Sequence, residues 1–160
     1  MKKILLVVSF VCAGILSKAQ SNKEDIDMIQ AMYGKEKKEI VAGFIKLEGA
    51  QKDAFWKLYD QYEAERKALG RRRIALIEKY ANVYDSLTDQ RMDAIMKEMF
   101  FLGTQTDKLI ETYYNKMKLP AGYKAAGQFS QLESYLLSMV RVSLLESIPF
   151  FGELDKGKKE

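Results

Sequence analysis

Histidine does not occur in this 160-residue chain, the single cysteine is Cys12, and there are only two prolines. Without histidine, the side chain whose ordinary titration falls near neutrality is missing, and acid–base catalysis loses its commonest agent. One cysteine cannot close an intramolecular disulfide, so stability has to come from a packed core. There is also no glycine-rich phosphate loop and no GxSxG elbow, and carboxylate pairs such as Glu36 and Glu39 have ordinary helix-surface spacing. The chain therefore reads as a non-enzyme that needs no cofactor. Scarce proline together with abundant Ala, Leu, Glu, Lys and Met disfavours a β-rich fold and predicts an all-α one.

The N-terminus carries Lys2 and Lys3, an apolar run from Ile4 to Leu16, and Ser17-Lys18-Ala19, the small-x-small pattern of a cleavage site. Residues 1–19 are expected to be a signal peptide cut after Ala19, which places the mature protein in the periplasm. The apolar run is shorter than the ~20 residues that cross a bilayer. Cys12 lies inside it, behind Phe10 and Val11, which is not the setting of a lipidated cysteine. Loss of Lys2, Lys3 and Lys18 takes the formal charge from +4 to +1. The remaining chain then has no pronounced basic character, which argues against nucleic acid as a partner.

Helical periodicity covers most of the rest. Residues 20–34 are expected to be a partly flexible N-terminal segment, ended or bent at Gly34. Ile40, Val41, Phe44 and Ile45 then mark the body of a first helix, from Lys35 to Lys46. A second helix is expected from about Ala50 to Ala81, with Phe55, Tyr62, Leu69, Leu76 and Val83 recurring at sevens and Leu58, Tyr59, Ile77 and Tyr80 completing the stripe. Gly70 in its middle predicts curvature or a close helix contact. Thr88 is a good N-cap for a third helix carrying Met92, Met96, Met99, Leu102, Leu109, Ile110, Tyr113 and Met117. Pro120 suits the first turn of a fourth, from about Ala121 to Ser147, stopped by Pro149. The expected fold is four helices, two or three of them long and amphipathic, joined as antiparallel hairpins. The helical domain is read as 35–150 and residues 151–160 as a charged tail.

Leu47, Leu87 and Leu119 each precede a cap-like residue and a new helix. Leu47-Glu48-Gly49-Ala50-Gln51 resembles the LTxxQ motif of the Spy/CpxP family of periplasmic stress proteins. Leu87-Thr88-Asp89-Gln90-Arg91 is similar to it as well, with Arg91 where glutamine would stand. The resemblance covers roughly residues 36–148. It implies an ATP-independent chaperone or envelope-stress accessory, built as a curved helical dimer that holds unfolded clients. The motif's own physical task is structural: leucine packs under the helix start, while Thr88, and less well Glu48, accepts from orphan amides.

Several features outside the motif are candidates for binding. Met92, Met96 and Met99 share a helix face, which fits core packing, a plastic client surface or a soft copper(I) site. Arg66, Lys67, Arg71, Arg72 and Arg73 form the densest basic run, suited to acidic partners or lipid headgroups, or simply to a solvated face balanced by Glu63, Glu65 and Glu78. Trp56 sits one step off the buried stripe, where it fits either packing or a surface contact. The stretch Leu136 to Leu145 is apolar nearly all round. Either the first three helices wrap it, or it forms a homodimer interface, for which Leu137, Val140, Leu144, Ile148, Phe150 and Phe151 are the candidates; Arg141 within it needs an acidic partner in both cases. The expected function is holding unfolded or envelope proteins. The alternative is a signalling accessory, with metal as one trigger, that contacts a membrane sensor, an anti-sigma partner or the membrane periphery.

Overall fold

The computed structural model describes residues 23–147. Residues 1–19, expected to be a leader, the charged stretch 151–160, and Ile148, Phe150 and Phe151 lie outside the described residues. Four helices follow one another: α1 (Lys23–Phe44), α2 (Gly49–Val83), α3 (Asp89–Met117) and α4 (Tyr123–Ser147), with a 3-10 turn, Tyr84–Ser86, between α2 and α3. The fold is all-α, with no strand among the described residues. At ~1.5 Å per residue, the 35 residues of α2 make a rod of about 50 Å. It pairs most extensively with α3, α3 pairs with α4, and α1 lies against both α2 and α4.

The helix starts follow local chemistry with two corrections. Thr88 caps α3 as expected, its Oγ1 accepting from the Arg91 backbone N–H at 3.3 Å. Arg91 also reaches back, its Nη1 donating to the Ser86 carbonyl at 3.4 Å, so the departure from the motif's glutamine still serves the turn. Leu47 packs against the larger core cluster and Leu87 against the smaller. Glu48 stands at the N-cap of α2 but makes no side-chain capping bond, contrary to expectation. Leu119 departs from the pattern altogether. It is 75 % exposed, and Ala121 enters the core in its place. The reason is the turn that ends α3: Pro120 lies within it rather than in a helix, and Gly122, at φ +94, redirects the chain so that α4 begins only at Tyr123.

One other expectation changes: Gly34 does not end α1, which runs continuously from Lys23 to Phe44, so the segment before Lys35 belongs to the same helix. Gly34 marks instead where α1 meets α2, since a Cβ placed there would lie 3.4 Å from Lys67 Cε. α2 likewise runs through Gly70 without a break.

The core is divided lengthwise. At the end where α2 begins, four helices bury Val41, Ile45, Phe55, Tyr59, Tyr62, Tyr113, Met117 and Phe129. Their rings pack mostly edge to face, as with Tyr62 on Phe129 at 5.0 Å between centroids. Toward the other end of the α2–α3 hairpin a smaller cluster holds Leu76, Tyr80, Ile95 and Leu102. Leu69 touches both. Only α2 and α3 contribute buried residues to that second cluster, so among the described residues no further helix packs on the far side of α3 there.

Candidate functional site

The most unusual chemistry lies inside the four-helix end. Lys37 of α1 is almost fully buried, its Nζ 2.5 Å from Glu63 Oε1 of α2 and 2.6 Å from Glu133 Oε2 of α4. Arg66, one helical turn beyond Glu63, donates to both carboxylate oxygens of Glu63 at 2.9 and 3.0 Å. The Tyr62 hydroxyl donates to Glu133 Oε2 at 2.6 Å. The Lys37 ammonium also lies 5.0 Å from the Tyr62 ring centroid and 5.7 Å from that of Tyr59. Two cations thus face two carboxylates, and the aromatic walls add cation–π attraction.

The local environment divides the two carboxylates. Burial opposes ionisation of Glu63, but Lys37 and Arg66 together outweigh it and hold its carboxyl below the usual range. At Glu133, wholly buried on α4, burial outweighs Lys37 and the Tyr62 hydroxyl and pushes the carboxyl up. Burial, reinforced by the Glu133 carboxylate, also drives the Tyr62 hydroxyl far above the ordinary phenol range. Of the two carboxylates, Glu133 is therefore the one that takes a proton more readily. Glu133, Lys37 and Tyr62 are 0 to 2 % exposed, so no substrate can reach the proton. What the cluster can do is clamp α1 onto α2 and α4.

Sequence reasoning missed this clamp because Lys37 sits in a run, Lys35 to Glu39, that looks like a solvated face. A signal was nevertheless there: Lys37, Val41 and Ile45 recur at fours and are all buried. Glu133 likewise lies between Phe129 and Leu136 on the inner face of α4. Arg66, read as part of the basic run, belongs to the clamp instead.

The remaining arginines do not form one patch. Arg72 Nη2 bonds Glu98 Oε1 of α3 at 2.6 Å, and its guanidinium covers the Phe101 ring at 5.3 Å. Arg73 is half-buried. Burial, followed by the nearby Arg141, lowers its affinity for its proton, against the pull of Asp107. Arg71 is exposed. The acidic partner Arg141 requires is Asp107, at 3.3 Å.

Of the readings offered for the methionine face, core packing holds for Met99 and not for Met92 or Met96. Met92 and Met96 are exposed and continue to Phe100, 65 % exposed, whereas Met99 packs against the small cluster. The physical reason is the thin two-helix end: residues 92, 96 and 100 lie on the flank of α3 that turns away from α2. Among the described residues no group of three His, Cys, Asp or Glu is placed to hold a metal. Trp56 is half-buried and combines both of its readings. It packs edge-on against Phe55 and Tyr59, and the Lys38 ammonium stands 5.2 Å from its ring. Gln51 is exposed near Gly122, where a Cβ would lie 3.7 Å from its Nε2. On α4, Leu137 packs on the core, Val140 and Leu144 are half-buried, and Val142 and Leu145 are exposed. A cleft of about 280 Å³ between α3 and α4 is lined by Asp107, Ile110, Glu111, Tyr114, Ser130 and Ser134.

Comparison with family models, with curated proteins and with solved structures returns no match to this chain.

Proposed function

We propose that this chain is an exported holding protein of Spy-like type, which binds unfolded or stressed proteins on an apolar helix flank without nucleotide. The observation that carries the reading is the exposed stripe Met92, Met96 and Phe100 on α3, at the end of the hairpin where no other helix among the described residues covers it. Methionine suits such a surface, because its unbranched, polarisable side chain adapts to differing partners. The four-helix end, clamped by Lys37, supplies the rigid body from which the hairpin projects. Val142 and Leu145 on the last turns of α4 add apolar surface suited to a second copy.

The test is suppression of aggregation of a reduced, unfolded client protein, followed by light scattering in the absence of ATP. The wild type at molar excess should suppress scattering, and Met92→Ser/Met96→Ser/Phe100→Ser should not, while keeping its helical circular dichroism. Equal activity of the two proteins, or none in either, refutes the proposal. Recovery of the secreted chain with Gln20 at its N-terminus would support the export step.

A further inference from the structure

At the four-helix end, α1 finishes, α2 starts, α3 finishes and α4 starts, and Gln51 lies close to Gly122. The tip so formed leaves three large apolar side chains in solvent: Phe44 at 57 %, Leu119 at 75 % and Tyr123 at 62 % exposure. They come from two different connections of the bundle, Phe44 from the first and Leu119 and Tyr123 from the last, yet they share one end of it. Around them stand Lys46, Lys52, Lys116, Lys118 and Lys124, and across residues 44–52 and 115–124 these five lysines face a single carboxylate, Glu48. Among the described residues none of the five is held in an ion pair. Lys46 and Lys118 bond neutral acceptors, the Ala42 carbonyl and Asn115 Oδ1, and Lys116 lies over the Tyr113 ring.

We infer that this tip is a peripheral docking surface for anionic membrane lipid. A bilayer interface calls for two signals together, apolar or aromatic groups that enter the headgroup boundary and cations that meet lipid charge. The tip has both on one surface, whereas the open stripe on α3 is apolar and Arg72 is already paired with Glu98. Leu119 on the α3–α4 turn is the foremost apolar group, and Tyr123 offers a ring with a polar end, the kind of side chain that settles at the interface. No helix among the described residues is long and apolar enough to cross a membrane, so the contact is at the surface. Docked in this way, the molecule stands with Met96 about 30 Å along α3 from its membrane end, by the ~1.5 Å rise per residue.

The experiment places a local reporter at the tip, so that the apolar N-terminal segment of the full chain cannot mimic the result. Leu119→Trp in a Trp56→Phe background is mixed with vesicles of phosphatidylcholine alone, or with phosphatidylglycerol added. The expected result is a blue shift of tryptophan emission, and quenching by brominated acyl chains, with the anionic vesicles only. Both should weaken as salt rises toward 1 M, where the Debye length falls to about 3 Å. Lys116→Glu/Lys118→Glu/Lys124→Glu in the same background should weaken vesicle affinity by roughly a hundredfold, at roughly fivefold per lysine near an anionic surface. If Trp56→Phe disturbs folding, the increment on adding Leu119→Trp with Trp56 retained is read instead. No shift with anionic vesicles overturns the inference and leaves the tip as a protein contact. An equal shift with both vesicle types, or one insensitive to the lysine changes, overturns the charge recognition on which it rests.

Discussion

Replacing Lys37 by methionine keeps the length of the side chain and removes the charge that joins three helices. In the wild type the ammonium sits 2.5 and 2.6 Å from two buried carboxylates. Its loss leaves Glu63 with Arg66, but Glu133 with the Tyr62 hydroxyl alone. Breaking a buried pair by removing one partner costs about 3 to 5 kcal/mol, because the other charge is left without compensation. Two routes limit that cost. Glu133 can take up a proton, its carboxyl already raised by burial. Alternatively α1 can detach, giving up mainly the burial of Val41 and Ile45, roughly 1.5 to 3 kcal/mol each. Urea denaturation of Lys37→Met at pH 7, followed by far-ultraviolet circular dichroism, should therefore show a loss of about 3 kcal/mol, and amides of residues 37–45 should lose exchange protection first. The sign with pH follows from the raised carboxyl. A group that binds its proton more tightly when folded contributes stability at low pH and loses it as pH rises through the folded value, so the variant should gain stability as pH falls toward the ordinary carboxylate range. Lys37→Met/Glu133→Gln removes the orphaned charge and should recover most of the loss. A loss below about 1 kcal/mol in the single variant, or a double variant no more stable than the single, would refute the clamp.

Glu63 has the opposite sign. Its carboxyl is held low against burial by Lys37 and Arg66, so its stabilising contribution is present above the ordinary carboxylate range and is lost as pH falls below it. Acid titration of Glu63→Gln should show a shallower decline than the wild type. The Tyr113 hydroxyl, which donates to Glu65 Oε1 at 2.6 Å, is pushed up to about 12 by burial and by that carboxylate. Its contribution is complete below pH 10 and is lost as pH rises toward 12, so ultraviolet titration should lose one late-ionising phenol in Tyr113→Phe. Thr88→Ala should cost about 0.5 to 2 kcal/mol in thermal or urea unfolding, whereas Glu48→Ala, which removes no capping bond, should cost less than about 0.5 kcal/mol. Equal losses would show that the cap is not what separates the two helix starts.

Much of this architecture follows from local rules, and those were legible along the chain. Phe55, Tyr62 and Leu76 recur at sevens because a helix that buries one face must repeat its apolar residues near that period, and all three are buried in α2. Thr88 starts α3 because a hydroxyl at that position satisfies an amide the helix cannot. Number and order of the four helices, and the approximate bounds of the last three, come from such periodicity, capping and composition alone, whereas the first begins at Lys23, a dozen residues before its expected start. Long-range decisions were of another kind. Lys37 and Glu133 lie in stretches that resemble ordinary charged surface, and each is buried only because a partner distant in sequence meets it across two helix interfaces. Met92 and Met96 show the converse. Their spacing matches a core stripe, yet α2 and α3 extend beyond the four-helix end, and no other described helix covers that flank. Periodicity reports that a face is apolar, while only the packing of separate helices decides whether the face is covered and whether a charge within it finds its counter-charge.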